Sequence, residues 1–178
     1  MGLWTGWTEW YFQQYGEEWL SKGECIEGPF LKLLDRAVSS IKIAIGETDP
    51  SLWNKEEIIE KFDKKMKGLV IVEMIFHEED DKKAATLDLF SGLVKLKRKH
   101  PEYLRLYRQK KSSVHFVVVD ASHILFENIY NNPNEQGEVL IKYKTKLLGK
   151  KLDEIFNFLK EREAEEIILG ELSKKVVC

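Results

Sequence analysis

The residues of this chain that could do chemistry are concentrated between Ser113 and Asn128. A run of β-branched and aromatic residues, Val114–Val119, is interrupted by His115 and followed directly by Asp120. This pattern predicts a buried strand, a tight turn at Asp120 and a returning strand. A histidine in such a strand is either a core residue with one hydrogen-bonding partner or part of a site. Strand alternation places on one face Ser113, His115, Val117 and Val119.

The polar residues from Ser113 to Glu138 follow, with substitutions, the order of a known signature. Their spacing resembles one half of the phospholipase D superfamily, which carries His-x-Lys-x-x-x-x-Asp, then Gly-Ser-x-Asn and a later Glu. When Asp120 and Glu138 are aligned with the acidic positions, Ser113 stands at the catalytic His and His115 at the Lys. The Gly-Ser-x-Asn positions hold Glu127, Asn128 and Tyr130.

The resemblance implies a reaction for which this chain lacks the reacting groups. In the active family a histidine attacks phosphorus, and a lysine neutralises the charge that develops on the phosphoryl oxygens. Ser113, without an adjacent base, does not replace that imidazole, and losing one charge stabiliser costs about 3 kcal/mol of barrier. We therefore expect no catalytic residue. The retained ligand pocket would be formed by Ser113, His115, Asp120, Glu127, Asn128 and Glu138.

A second interpretation stays open, in which the chain is an active phosphodiesterase or nuclease. In that case His115 is the nucleophile, Asp120 orients it, and two copies of the site face each other across a dimer. Members of the superfamily with one motif per chain commonly dimerise. The resemblance therefore implies a homodimer under either interpretation.

Helical and strand patterns alternate along the chain and predict an α/β fold, with a mixed β-sheet flanked by helices. This is also the fold that the resemblance implies for a phospholipase D-like half. Asn54 and Glu57 resemble a capping pair at a helix start, and Glu73 within a predicted strand needs a partner. The pattern predicts helices over residues 30–40, 54–67, 84–100 and 147–168, and strands over 41–46, 68–76, 103–108, 114–119, 123–128 and 138–143.

The N-terminal segment is rich in aromatic residues, and helical spacing is followed by Trp4, Trp7, either Trp10 or Tyr11, and Tyr15. The spacing predicts a helix over residues 3–22, within an extension that covers residues 1–27 and precedes a phospholipase D-like domain at 28–178. Such a helix could pack over the domain, contact a second copy or a protein partner, cover a ligand site, or stack on bases.

A basic stretch runs from Lys95 to Lys111, where eight Lys or Arg residues accompany the single acid Glu102. Charge runs are usually solvated, and basic residues near a helix C-terminus stabilise its dipole. Two arginines and two tyrosines interleaved on a strand also suit a phosphate or nucleic-acid surface. The candidate residues of this surface are Lys97, Arg98, Lys99, Arg105, Arg108, Lys110 and Lys111.

Acidic residues follow two of the predicted strands. Glu47 and Asp49 follow the first, at a strand end where ligands of α/β sheets collect. His77–Asp81 follows the second, but adjacent acids before a helix more simply complement its dipole than hold a metal. We expect no metal and no cofactor.

Composition narrows the class of protein without naming a ligand. The chain has 178 residues, of which 43% are hydrophobic and 33% charged, and a net charge of −2. These values predict a globular protein with no global attraction to nucleic acid or membranes. Cys25 and Cys178 form neither a disulfide framework nor a zinc motif, and no apolar run is long enough to span a membrane. We expect a cytoplasmic location.

Overall fold

Eight strands form one mixed β-sheet in a computed structural model of the chain. The structure describes residues 17–21, 26–45, 50–77, 90–110, 115–128 and 138–169, and the side chains in these ranges except those of residues 17–21, 50, 51, 77, 128 and 138. The strands are β1 (Glu17–Ser21), β2 (Ser40–Ile45), β3 (Ile71–His77), β4 (Leu104–Gln109), β5 (His115–Val119), β6 (His123–Asn128), β7 (Glu138–Lys142) and β8 (Ala164–Glu166).

The strand order is β1-β7-β6-β5-β2-β3-β4-β8. β2, β3 and β4 pair in parallel, and the other neighbours pair antiparallel. Since β5 runs against β2, the start of β5 lies at the sheet end where the parallel strands finish. Ligands of open α/β sheets bind at such ends.

Helices cover both faces of the sheet, as the α/β prediction requires. They are α1 (Glu27–Asp35), α2 (Pro50–Trp53), α3 (Glu56–Lys67), α4 (Ser91–Lys99) and α5 (Lys146–Arg162). Residues of α1 to α4 share one apolar cluster with Val117 and Val119, whereas α5 packs against Phe116 and Val118 on the other face. The predicted alternation along β5 is thus confirmed. None of the helices in the described part of the chain is long and apolar enough to cross a membrane.

Three local predictions were wrong. Residues 17–21, expected in a helix, form β1 and pair with β7, because tertiary pairing overrides helical spacing. α3 begins at Glu56 with Lys55 as its N-cap and no capping side chain, so Asn54 is not the cap. α5 ends at Arg162 and not near residue 168, because the chain then extends to pair with β4 as β8. Residues 3–16 of the predicted helix lie outside the described residues, and the boundary at residue 27 stays a prediction.

A buried carboxylate lies between the sheet and α5. Glu73 on β3 is 5% exposed, and its Oε1 lies 3.1 Å from Lys160 Nζ and 3.3 Å from the Tyr107 hydroxyl. Burial, with the nearby charge of Glu73, raises the pKa of Tyr107 to about 12. The partner that Glu73 requires is therefore supplied by α5 and β4. Next to it, Lys42 Nζ lies 2.7 Å from Asp153 Oδ1.

Two residues of the β5–β6 turn adopt the left-handed backbone conformation, Asp120 with φ 50° and Ala121 with φ 48°. An L-residue with a Cβ is disfavoured there, whereas glycine is not. We expect Ala121→Gly to stabilise the protein by about 0.5–1 kcal/mol. The measurement is the free energy of unfolding in urea.

A matched comparison separates this effect from a general effect of glycine. Lys64→Gly, at an exposed position within α3, should destabilise by about 0.5–1 kcal/mol, since glycine weakens a helix interior. A loss of stability in both variants would contradict the assignment of backbone strain to Ala121.

Candidate functional site

His115 and Glu127 form an ion-pairing contact at the end of the sheet where the parallel strands finish. They are directly opposite on β5 and β6, and His115 Nδ1 lies 2.8 Å from Glu127 Oε2. Their side chains are 18% and 34% exposed, so both can be reached from solvent. Of the predicted pocket residues, these are the two whose side chains the structure brings together.

The contact defines what the imidazole can do. A carboxylate at Nδ1 fixes the orientation of the ring and leaves Nε2 as the nitrogen available for a ligand. Such an arrangement can orient a base or a nucleophile. The pair carries a net charge of −1 when His115 is neutral and zero when it is protonated, so it does not provide the cation that a phosphoryl group needs.

Asp120 lies at the opposite end of β5 and has a different environment. Its carboxylate accepts four hydrogen bonds, from the N–H groups of Val38, Ser39 and Ser40 and from the Ser39 hydroxyl, at 2.7 to 2.9 Å. The length of β5 separates it from His115, about 16 Å at the usual rise per residue. Asp120 therefore does not orient His115. Its hydrogen bonds hold the β5–β6 turn against Val38, Ser39 and the first residue of β2, Ser40.

The hydrogen bonds also set the ionisation of Asp120. Partial burial alone would raise the pKa of this carboxyl group. The Ser39 hydroxyl and the N–H groups of Ser40, Val38 and Ser39 outweigh burial and hold the pKa below its ordinary value. The carboxylate is thus charged in the folded protein near neutral pH.

The remaining pocket candidates are described only in part. Ser113 lies outside the described residues. Asn128 and Glu138 are register partners on β6 and β7, next to the pair Glu127 and Val139, so their backbone lies at the same end of the sheet as His115. The post-strand residues Glu47, Asp49 and Glu78–Asp81 lie outside the described residues, as does the side chain of His77. Among the described residues there is no group of three or more His, Cys, Asp or Glu side chains placed to hold a metal.

A second polar cluster, at the Asp120 end of the sheet, was missed by the sequence analysis. The guanidinium of Arg36 lies 4.3 Å from the ring centroid of Tyr143, and the Tyr143 ring lies 6.1 Å from that of His123. Burial, followed by the charge of Arg36, lowers the pKa of His123. A cavity of about 450 Å³ is lined by Lys32, Asp35, Arg36 and Tyr143. Arg36 and Tyr143 are far apart in the chain, so no local pattern could have predicted their contact.

Acidic side chains of other elements pair with four of the eight basic residues of the stretch. Arg98 and Lys110 are exposed, and Lys111 lies outside the described residues. The four other candidates form the pairs Lys97–Glu166 (3.7 Å), Lys99–Asp63 (2.7 Å), Arg105–Glu73 (3.7 Å) and Arg108–Glu165 (3.1 Å). Two of these acids lie on β8, which the sequence analysis had assigned to a helix. These four pairs reduce the net positive charge of this surface below the value that the sequence suggested.

The strand order and the helices on both faces of the sheet are those of a phospholipase D-like α/β half. No family model matches the chain, and no curated protein matches its sequence. The resemblance therefore rests on three-dimensional structure.

Solved structures share this fold. One is Nuc, a phospholipase D family member from Salmonella typhimurium, with a TM-score of 0.61, 10% identity, and coverage of 85% of this chain and 98% of Nuc. A second is TrmBL2, an archaeal chromatin protein with a novel mode of DNA binding, with a TM-score of 0.60, 14% identity, and coverage of 89% and 61%. A third is phosphatidylserine synthase from Haemophilus influenzae Rd KW20, with a TM-score of 0.57, 13% identity, and coverage of 85% and 39%. The likeness confirms the predicted fold class.

Proposed function

We propose that this chain is a non-catalytic phospholipase D-like binding module that acts as a homodimer and engages anionic ligands, namely nucleic acid or phosphorylated molecules. One observation carries the proposal. In the register that aligns Asp120 with the family's Asp, His115 stands at the position of the lysine, and Glu127 Oε2 lies 2.8 Å from its Nδ1, so a carboxylate offsets any positive charge on the imidazole. A phosphoryl group held there would face Glu127 instead of a preorganised cation, so its transition state would gain no stabilisation.

The ligand class follows from the fold and from the exposed cations. TrmBL2, which shares the fold, binds DNA. In this chain, Arg98 lies in the last turn of α4, just before β4 begins, and Lys110 directly follows the end of β4. The two exposed cations therefore lie at opposite ends of β4, about 20 Å apart along the strand. Exposed Lys and Arg side chains bind phosphates without reading sequence.

Homodimerisation rests on the resemblance to single-motif members of the superfamily. The chain covers 98% of Nuc, so it corresponds to one such half. Sedimentation equilibrium would test it. A monomer at all accessible concentrations would contradict this part of the proposal and leave the binding part open.

A second candidate function is an active phosphodiesterase, and the His115–Glu127 contact is the observation that favours it. A carboxylate at Nδ1 is the arrangement that orients a nucleophilic or basic imidazole. The orienting residue in this version is Glu127, because Asp120 is bound to residues 38–40 at the other end of the strand.

Turnover of phosphodiesters separates the two functions. We expect no release of nitrophenolate from bis(p-nitrophenyl) phosphate and no cleavage of single-stranded or duplex DNA or RNA, because the described side chain that contacts His115 is a carboxylate, Glu127, which does not stabilise the negative charge of a phosphoryl group. Turnover that His115→Ala abolishes would establish the second function. The matched control is His123→Ala, which removes a histidine from the other end of the same hairpin. Turnover unaffected by either change would point to a contaminating enzyme.

Nucleic-acid binding should depend on salt and on the exposed cations. We expect Arg98→Glu combined with Lys110→Glu to weaken binding of a fluorescent oligonucleotide by about tenfold or more, and to lower the salt dependence of the binding constant. Fluorescence anisotropy at several salt concentrations measures both. The control pair Lys150→Glu and Lys151→Glu makes the same charge change at exposed positions of α5. Equal weakening in both pairs would show that only the total charge matters.

A further inference from the structure

The cavity of about 450 Å³ lies at the end of the sheet where β2 and α5 begin. Its lining comes from the end of α1, with Lys32, Asp35 and Arg36, and from Tyr143, which directly follows β7. The volume is within the range of small-molecule sites, about 300–1,000 Å³. Since His115 begins β5 at the other end of the sheet, this cavity is separate from the His115–Glu127 contact.

Two positive side chains face the cavity. Lys32 and Arg36 are four residues apart on α1, so they leave the helix on the same side. Both are exposed, and within the described ranges neither has an acidic partner. The acid of the lining, Asp35, is already paired, because its Oδ1 lies 2.6 Å from Lys61 Nζ. The lining therefore attracts an anion.

The carboxyl end of α1 does not oppose such an anion. A helix C-terminus is negative because its last carbonyl groups lack hydrogen-bonding partners. In α1 the carbonyls of Leu33 and Leu34 accept backbone N–H groups from three residues further on, and Lys65 Nζ donates to the Asp35 carbonyl at 2.7 Å. The negative end of the helix is thus offset by hydrogen bonds and by the charge of Lys65.

An aromatic ring holds the guanidinium of Arg36 in place. Its Cζ lies 4.3 Å from the centroid of the Tyr143 ring, a cation–π distance. Stacking uses the flat face of the guanidinium and leaves the N–H groups at its edge available to an oxyanion. Tyr143 is half-buried and packs against the core, so the arginine is fixed to the body of the domain. An ordered side chain loses less conformational entropy when it binds a ligand.

His123 experiences the positive field of this cluster. Its ring centroid lies 6.1 Å from that of Tyr143, and its Nδ1 accepts the Lys144 N–H at 3.2 Å, so the proton of the neutral ring is on Nε2. Burial, followed by the charge of Arg36, lowers the pKa of His123; Asp120 raises it and Lys144 lowers it further. Arg36 outweighs Asp120, and an anion bound beside Arg36 would act against this field.

We propose that this cavity binds a phosphate monoester, with its phosphoryl group between Lys32 and the guanidinium edge of Arg36. The two positive side chains match the charge of about −2 that a phosphate monoester carries at neutral pH. Arginine and lysine bind phosphoryl oxygens through charge-assisted hydrogen bonds. The inference goes beyond the proposed function and does not depend on it, because His115 lies at the other end of the sheet.

A titration of the full-length protein with inorganic phosphate, followed by NMR of the histidine side chains, tests the site. At constant ionic strength, we expect phosphate to shift the His123 resonances in a saturable manner and to raise the pKa of His123, since a bound anion stabilises the imidazolium. Lys32→Gln and Arg36→Gln should each weaken phosphate binding by about tenfold or more. Each variant is compared with and without phosphate, because Arg36→Gln by itself changes the field at His123.

Lys150→Gln is the matched control. It removes the same charge from an exposed position of α5, which packs on the other face of the sheet, and should leave phosphate binding unchanged. A saturable shift that is absent at millimolar phosphate would overturn the site, as would equal weakening by Lys150→Gln and Arg36→Gln. Urea unfolding of the three variants checks that each is folded.

Dimethyl phosphate distinguishes a monoester from the diester of a nucleic-acid backbone. It is a monoanion, so we expect it to bind about tenfold more weakly than inorganic phosphate, because it forms weaker contacts with the two cations. Equal affinity for the two probes would assign the cavity to phosphodiesters and overturn the monoester assignment.

Discussion

Replacing Asp120 by Ala should lower the free energy of unfolding by about 3 kcal/mol, one of the two largest effects we expect from a single change in this protein. The carboxylate accepts hydrogen bonds from Val38, Ser39 and Ser40, and its removal leaves three backbone N–H groups without that partner. Alanine also fits the left-handed conformation at φ 50° less well than aspartate. Chemical denaturation monitored by circular dichroism measures the loss.

Graded variants identify the source of the effect. Asp120→Asn keeps one acceptor oxygen and the tolerance for the left-handed conformation, so we expect a smaller loss of about 1.5 kcal/mol. Ser39→Ala removes only the hydroxyl that donates to Oδ1, and should cost about 1 kcal/mol or less. Equal stability of Asp120→Ala and the unchanged protein would mean that the carboxylate does not fasten the turn to residues 38–40.

Acidification gives an independent test of the same carboxylate. The pKa of Asp120 is lower in the folded protein than its ordinary value, because hydrogen bonds outweigh burial. A lowered pKa means that the unfolded chain binds the proton more readily. The contribution to stability is therefore present above the ordinary carboxyl pKa and is lost as the pH falls through the lower folded value. Asp120→Asn should reduce the dependence of the free energy of unfolding on pH in this range. The dependence contributed by other carboxylates, such as Asp63, should remain.

Replacing Gly149 by Ala should destabilise the protein by about 2–3 kcal/mol, although helix propensity alone favours alanine by about 1 kcal/mol. A Cβ at this position would lie 2.4 Å from the Ala121 carbonyl oxygen and 2.7 Å from the Ser122 nitrogen. These are backbone atoms of the β5–β6 turn and cannot rotate away. The first turn of α5 would have to move off the sheet, which would also weaken the Thr145–Ser122 hydrogen bond.

Gly92→Ala provides a matched control within α4. A Cβ there would lie 2.7 Å from Ile59 Cδ1, which is the end of a flexible side chain. Ile59 can change rotamer, so we expect a change within about 1 kcal/mol of zero. The change in the free energy of unfolding, measured by thermal or urea denaturation, should therefore differ in sign or clearly in size between Gly149→Ala and Gly92→Ala. Stabilisation by Gly149→Ala would contradict the close approach of α5 to the turn.

The binding proposal and these stability predictions concern different ends of the sheet. Asp120 and Gly149 lie at the end of the sheet where α5 and β2 begin, whereas His115 and Glu127 lie at the end where the parallel strands finish. Changes at Asp120 should thus act through stability, and changes at His115 through any ligand contact. Binding measured well below the unfolding transition can separate the two.

Local pattern was sufficient for much of the architecture. The strands from Ser40 to Lys142 were predicted to within a few residues, because their β-branched runs are interrupted by turn residues. The alternation that places His115 with Val117 and Val119 is a property of any strand. The need of Glu73 for a partner follows equally from its position in an apolar run, since a lone buried charge is unfavourable.

The sequence by itself thus determined the α/β class and the faces of the strands. Only the tertiary structure decided that Glu127, and not Asp120, contacts His115, and that acids of β8 and α3 pair with Lys97, Lys99 and Arg108 of the basic stretch. The physical reason is that these contacts join residues far apart in the chain. Which residues meet depends on the order in which strands pair, and local spacing carries no record of that order.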